Sequence, residues 1–132
     1  MADRRSERGA AAVEMAFVAM FLILLVTGVA DLGRAIFTYI GVQDAAEEGT
    51  MYASYHPDEI DNVRQRAVES IDYPELDPGD VAVSCSPDGK RVTVTVTHRV
   101  DLMTPVISQI LGEQIELTRS FTGDVFGGTC GA

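Results

Sequence analysis

The hydropathy pattern of this chain begins with an unbroken apolar run and only later becomes periodic. Ala10 to Ala30 is 21 residues with a single charge, Glu14. As an α-helix that run extends roughly 31 Å, against a bilayer hydrocarbon core of about 30 Å. Past Ala30 the pattern changes to helical spacing, with apolar residues at Leu32, Ile36, Tyr39, Ile40, Val42, Ala46 and Tyr52 and no proline before Pro57. Gly41, Ala45, Gly49 and Ala53 repeat at every fourth position and form one smooth ridge. A glycine inside a helix costs about 1 kcal/mol relative to alanine, so the ridge predicts close packing of another element. Asp44, Glu47 and Glu48 take the solvated side. The two stretches together predict one helix of about 45 residues.

His56-Pro57 ends that helix, because the residue before a proline is pushed out of the helical region. A second helix is expected from Pro57 through about Ser70, with Ile60, Val63, Ala67, Val68 and Ile71 on its inner face. Arg64 and Arg66 are expected in solvent. Residues 72–80 carry two prolines and Gly79 and read as a loop. Two strands follow, Val81 to Cys85 and Arg91 to Val100, joined by a turn at Pro87-Asp88-Gly89. Val92, Val94 and Val96 alternate with threonines, the pattern of a half-buried antiparallel strand. His98 falls on the valine side by parity and is expected at the strand end. Thr104-Pro105 opens a short helix through Leu111, and Glu113 to Gly123 resumes the alternation as a third strand. The fold class is therefore α+β: a long N-terminal helix, a second helix and a three-stranded antiparallel sheet.

Charge gives this arrangement a direction. Arg4, Arg5 and Arg8 precede the apolar run, and after it only Arg34 is basic before Arg64. The positive-inside rule puts the N-terminus in the cytoplasm and the chain after Ala30 outside, a single-pass protein of the cytoplasmic membrane. The net charge is −10; three arginines against Asp3 and Glu7 make residues 1–9 +1, which leaves −11 for the rest. So acidic an exported part disfavours nucleic acid and anionic lipid as partners. About 100 residues outside the membrane suffice for one small domain. Asp31 and Arg34, at i, i+3, put opposite charges on one helix face where the helix leaves the membrane.

The exported part holds two cysteines, Cys85 and Cys130. An even count in an oxidising compartment favours a disulfide over a metal site, for which there is no Cys-x-x-Cys and only solitary His56 and His98. Closing that loop of roughly 46 residues stabilises a fold by about 4 kcal/mol in the chain-entropy model. No serine, cysteine or histidine has a base in view, and no glycine loop could cradle phosphate. Neither an enzymatic activity nor a cofactor is expected.

Glu14 needs its own explanation. A carboxylate inside a membrane helix costs about 2.5 kcal/mol or more and points to function by default. Basic residues, then Gly9, then an apolar helix with a glutamate at its fifth position resemble the leader of type IV prepilins. That resemblance implies cleavage between Gly9 and Ala10 by a prepilin peptidase, with residues 1–9 as a cytoplasmic leader. It also implies that Glu14 neutralises the new α-ammonium of a neighbouring subunit. Two other readings stay open. Gly28-Val29-Ala30 is an acceptable secretory cleavage site, which would release a soluble binding module after Ala30, although a run of 21 exceeds the usual 7–15 of a signal core. Alternatively, the span is a plain anchor for an extracytoplasmic domain, with Glu14 in the headgroup zone.

The wider sequence is more specific. ERGAAAVEMAF through DLGRAIFTYIGVQDAAEEGTMYAS resembles the TadE-like family of minor pilin proteins of the tight-adherence (Tad) secretion system. The alternating strand and LMTPVISQILGEQIELTRSFTGDV also fit, and Asp-x-Gly-Arg-Ala at residues 31–35 is a telling part. Asp31 and Met15 depart from the glutamate and phenylalanine frequent in relatives. The resemblance implies a membrane-anchored minor pilin or pseudopilin of residues 10–30 (span) and 31–132 (exported domain). Its implied partners are other pilin subunits, the pilus assembly platform, the prepilin peptidase and the lipid bilayer.

Overall fold

One helix, α1 (Asp3–Tyr55), runs through 53 residues and supplies both the apolar stem and the spine of the folded domain. The computed structural model describes residues 3–104, 108–109 and 112–130. α1 begins before the expected start at Ala10, because residues 3–8 lack proline and glycine and are rich in the good helix formers arginine and glutamate. It ends at His56, whose N–H donates to the Tyr52 carbonyl at 3.0 Å while the two rings stack 4.5 Å apart.

The second helix, α2 (Ile60–Glu69), starts three residues later than the Pro57 expected from sequence. The His56 carbonyl accepts the Glu59 N–H at 3.3 Å, so Pro57 occupies the second position of a tight turn instead of the first turn of a helix. The Glu59 carboxylate then accepts the Tyr52 hydroxyl at 2.7 Å and the Asn62 amide at 2.8 Å, which ties the two helices across the turn. These two bonds, Asn62 first, hold the Glu59 carboxyl below its ordinary range. Arg66 is exposed, as expected, whereas Arg64 is half-buried and lies 3.4 Å from Asp61.

Three antiparallel strands follow in the order β1 (Val81–Cys85), β2 (Arg91–Asp101), β3 (Gln114–Asp124). Val94 pairs with Val83 on one side and Phe121 on the other; Val96 pairs with Val81 and Arg119. Val92, Val94 and Val96 are fully buried against α1, together with Val42, Ala45, Ala46 and Ala53. On the outer face, hydroxyls pair across β2 and β3: Thr93 with Thr122 at 2.8 Å, Thr95 with Ser120 at 2.8 Å and Thr97 with Thr118 at 3.2 Å. Such cross-strand pairs fix register, since a one-residue slip would send every threonine into the core.

The small-residue ridge does pack closely. A Cβ on Gly49 would lie 3.1 Å from Ala67 Cβ of α2 and 3.2 Å from Val94 Cγ1 of β2, so α1, α2 and the sheet meet at that point. A Cβ on Gly41 would strike the Tyr73 carbonyl oxygen and lie 2.7 Å from Pro74 Cδ. The 72–80 loop, which contains a short 3-10 turn at Pro78–Asp80, therefore lies directly on α1.

Cys85 and Cys130 form a disulfide across 45 positions of sequence. The Cys130 N–H also donates to the Gly89 carbonyl at 3.0 Å, which fastens the tail to the β1–β2 turn. Of the short helix expected from Thr104 to Leu111, residues 105–107 and 110–111 lie outside the described ones. Ser108 and Gln109 are helical, and the Ser108 N–H donates to the Thr104 carbonyl at 3.0 Å.

Candidate assembly interface

α1 divides into an apolar stem and a packed half, and the stem is where the sequence places function. From Gly9 to Val26 every position of the helix is exposed among the described residues: Met15 is 72 % exposed and Phe17 66 %. Its most apolar 18-residue window has a mean hydropathy of 2.4, so by length and composition it can cross a membrane. Gly9 has no neighbour within 4 Å of a notional Cβ, and Ala10 and Glu14 are exposed on the same stem. Thr27, the one hydroxyl of the run, donates to the Ile23 and Leu24 carbonyls at 3.0 Å and so presents no free polar group.

The exposed apolar surface does not end where the run ends. Leu32, Ile36 and Ile40 are exposed, so these members of the helical apolar pattern do not enter the core, unlike Val42 and Ala46; Phe37 beside them is exposed as well. With Ala35, Tyr39 and Leu117 of β3, Ile36 and Ile40 line a shallow groove of about 490 Å³ whose lining is apolar.

Asp31 and Arg34 make this continuity possible because both turn toward the domain. The Asp31 side chain is 4 % exposed. Its carboxylate accepts the Met103 N–H at 3.1 Å and the Thr104 N–H at 2.7 Å. The Thr104 side chain, then those two backbone donors and the Arg34 charge, hold the Asp31 carboxyl below its ordinary value against the opposing effect of burial. Sequence spacing puts Arg34 on the same helix face; the hydrogen bonds that Asp31 accepts come from backbone groups 72 and 73 positions away. Arg34 is half-buried beside Thr38 and Tyr73, with its Nη1 buried and without a hydrogen-bond partner among the described residues.

The other sequence-predicted sites lie apart from this helix exit. Cys85 and Cys130 bond at the far end of the sheet. His98 sits within β2 opposite Leu117, its Nδ1 4.0 Å from Asp80. Arg119 stacks on the Tyr39 ring at 4.1 Å from its centroid, a contact that no sequence period announces.

The stem, the Asp31 exit and most of the ridge fall within one recognisable segment. Residues 9–51 match the family model for TadE-like protein. The TadE-like segment covers about a third of the 132 residues and ends before α2 and the sheet. Gly9, Ala10, Glu14, Asp31 and Arg34 all lie inside it. No curated protein and no solved structure matches the chain.

Proposed function

We propose that the protein is a membrane-anchored minor pilin or pseudopilin that takes part in assembly of a Tad-type adhesive pilus. Residues 1–9 serve as the cytoplasmic leader, residues 10–30 cross the cytoplasmic membrane and residues 31–132 form the extracytoplasmic domain. Its partners are the prepilin peptidase, other pilin subunits and the assembly platform, and its role is structural instead of enzymatic.

The observation that carries this reading is the length of exposed apolar helix. Val13 to Ile40 spans roughly 41 Å at helical rise, while a hydrocarbon core is about 30 Å thick. The excess lies outside the bilayer on Leu32, Ile36, Phe37 and Ile40, where water is an unfavourable neighbour. A helix that requires both lipid and protein cover suits a subunit that moves from membrane to filament. The TadE-like match over the same residues supports the same assignment.

N-terminal sequencing of the surface-exposed form tests it. A start at Ala10 agrees with pilin processing, one at Asp31 with release of a secreted module, and one at Met1 or Ala2 with a plain anchor. Gly9→Leu should block maturation, because a peptidase subsite built for glycine rejects a branched side chain. Recovery of the protein in sheared pili tests assembly itself.

A further inference from the structure

The pocket beside the helix exit has the chemistry of a ligand site that the assembly role leaves unused. It encloses about 210 Å³ between α1, the 72–80 loop and the end of β2. That is smaller than the roughly 300–1,000 Å³ of sites for drug-sized ligands. Its walls carry both signs of charge: Arg34, His98 and Arg99 against Glu75 and Asp101. Arg99 is engaged with Glu116 at 3.2 Å, and His98 faces Asp80 at 4.0 Å. Arg34 is in no ion pair among the described residues, and its buried Nη1 has no partner there. The Arg34 guanidinium lines the pocket wall, and an anionic oxygen there would offer it a charge-assisted partner.

Two hydroxyl side chains, Thr38 and Tyr73, line the pocket together with Arg34. Thr38 is buried, and its side chain first, then that of Arg34, holds the Tyr73 phenol below its ordinary value. Tyr73 itself remains half exposed at the pocket mouth. Opposite, Glu75 is exposed, and Asp101 accepts the Gln114 amide through one oxygen at 2.7 Å, which leaves its other oxygen for a cation.

Height selects the ligand. Arg34 follows Ala30 by four residues, a rise of about 6 Å along the helix. The polar headgroup layer adds about 5–7 Å to each side of the hydrocarbon core, so the pocket opens at that level. This placement rests on the membrane reading above. We propose that the pocket seats the headgroup of a zwitterionic phospholipid bearing a primary ammonium. Its phosphate diester meets Arg34 and Tyr73, and its ammonium meets Glu75 and Asp101. The mixed walls favour a phosphoethanolamine over an anionic headgroup, in keeping with the −10 charge of the chain. The bound lipid orients the domain on the membrane before subunits leave it.

Nuclear magnetic resonance on the full chain in neutral micelles tests this, with dihexanoyl phosphatidylethanolamine as the probe. Dihexanoyl phosphatidylglycerol, dihexanoyl phosphatidylcholine and inorganic phosphate are titrated in parallel. Saturable shifts at the Arg34 side chain and Tyr73 ring are expected with the ethanolamine lipid, with at least tenfold weaker affinity in Arg34→Gln. The exposed substitution Glu75→Gln, which cannot unfold the core, should weaken that lipid and spare inorganic phosphate. Equal affinity for the glycerol lipid or for phosphate alone would overturn the assignment, as would no saturable shift. Flotation with vesicles reads the anchor separately. A protein that floats but shows no ethanolamine-specific shift loses this site and keeps its membrane role; one that does not float loses both.

Discussion

The Asp31 carboxylate accepts the backbone N–H of Thr104 at 2.7 Å, so the residue that leaves the apolar stem holds the start of the β2–β3 connection. A carboxylate is suited to this place because it takes N–H donors with both oxygens while its own charge is turned from the lipid-facing side. The domain is thereby fixed to the helix at its point of exit.

That bond has a pH signature. The folded pKa of Asp31 lies below its ordinary value of 3.8, so the unfolded chain binds protons first as pH falls. Its stabilisation is complete above that unfolded value and is lost as pH drops through the lower folded one. Asp31→Asn should therefore lower the unfolding midpoint at neutral pH, since an amide can offer only one acceptor and brings N–H groups against N–H groups. Below about pH 4 its midpoint should fall less steeply than that of the wild type. Parallel acid limbs by circular dichroism would show that Asp31 is energetically uncoupled from the fold.

Asp31 also marks the limit of what sequence reveals. Periodicity and the proline at 57 were enough to expose the long helix, and parity alone put the valines inward and the threonines outward. Helical spacing likewise made Gly41 to Ala53 a packing ridge. None of these signals reports distance across the fold. Spacing offered Arg34 as the partner of Asp31, whereas backbone donors 72 and 73 positions on satisfy it. Similarly, no period in the sequence pairs Arg119 with the Tyr39 ring on which it stacks. The late start of α2 depends on a turn bond between His56 and Glu59, which composition does not distinguish from a helix opening at Pro57.

Two glycines on the same helix should respond oppositely to alanine. At Gly41 the new Cβ meets the backbone of Tyr73 and lies 2.7 Å from Pro74 Cδ, so the loop must shift. Gly41→Ala should destabilise by about 1–3 kcal/mol, the usual range for overpacking. Gly33 has nothing within 4 Å among the described residues, and Gly33→Ala should stabilise by up to about 1 kcal/mol through helix propensity. Denaturant midpoints of both variants give the comparison. A neutral Gly41→Ala would mean that the 72–80 loop rides freely on α1.

The disulfide should matter most for the tail. The Cys85–Cys130 bond spans 45 positions, and chain entropy assigns such a link about 4 kcal/mol. Reduction, or Cys85→Ser with Cys130→Ser, should lower the unfolding midpoint. It should also expose residues 125–130 to hydrogen exchange before β2 and β3 open, because the tail retains few other bonds. Two free thiols in unreduced protein from the cell surface would contradict the linkage.

The last prediction concerns Glu14, where membrane energetics and assembly meet. If processing leaves Ala10 as the first residue, its α-ammonium, with a reference pKa of about 8, is charged at neutral pH. In an apolar bundle an unpaired ammonium and an unpaired carboxylate are each unfavourable, and together they offset much of that penalty. Glu14 stands about one turn from Ala10 on a stem that is exposed among the described residues. A staggered neighbour that brings its own terminus to this carboxylate would set the axial register between subunits. Glu14→Ala should therefore leave cleavage, membrane insertion and the unfolding midpoint unchanged while reducing recovery in sheared pili. Glu14→Gln separates charge from hydrogen bonding: if charge sets the register, it should fail as Glu14→Ala does. Wild-type incorporation of both variants would make Glu14 a tolerated headgroup-level residue, and the apolar face of α1 alone would then have to align the subunits.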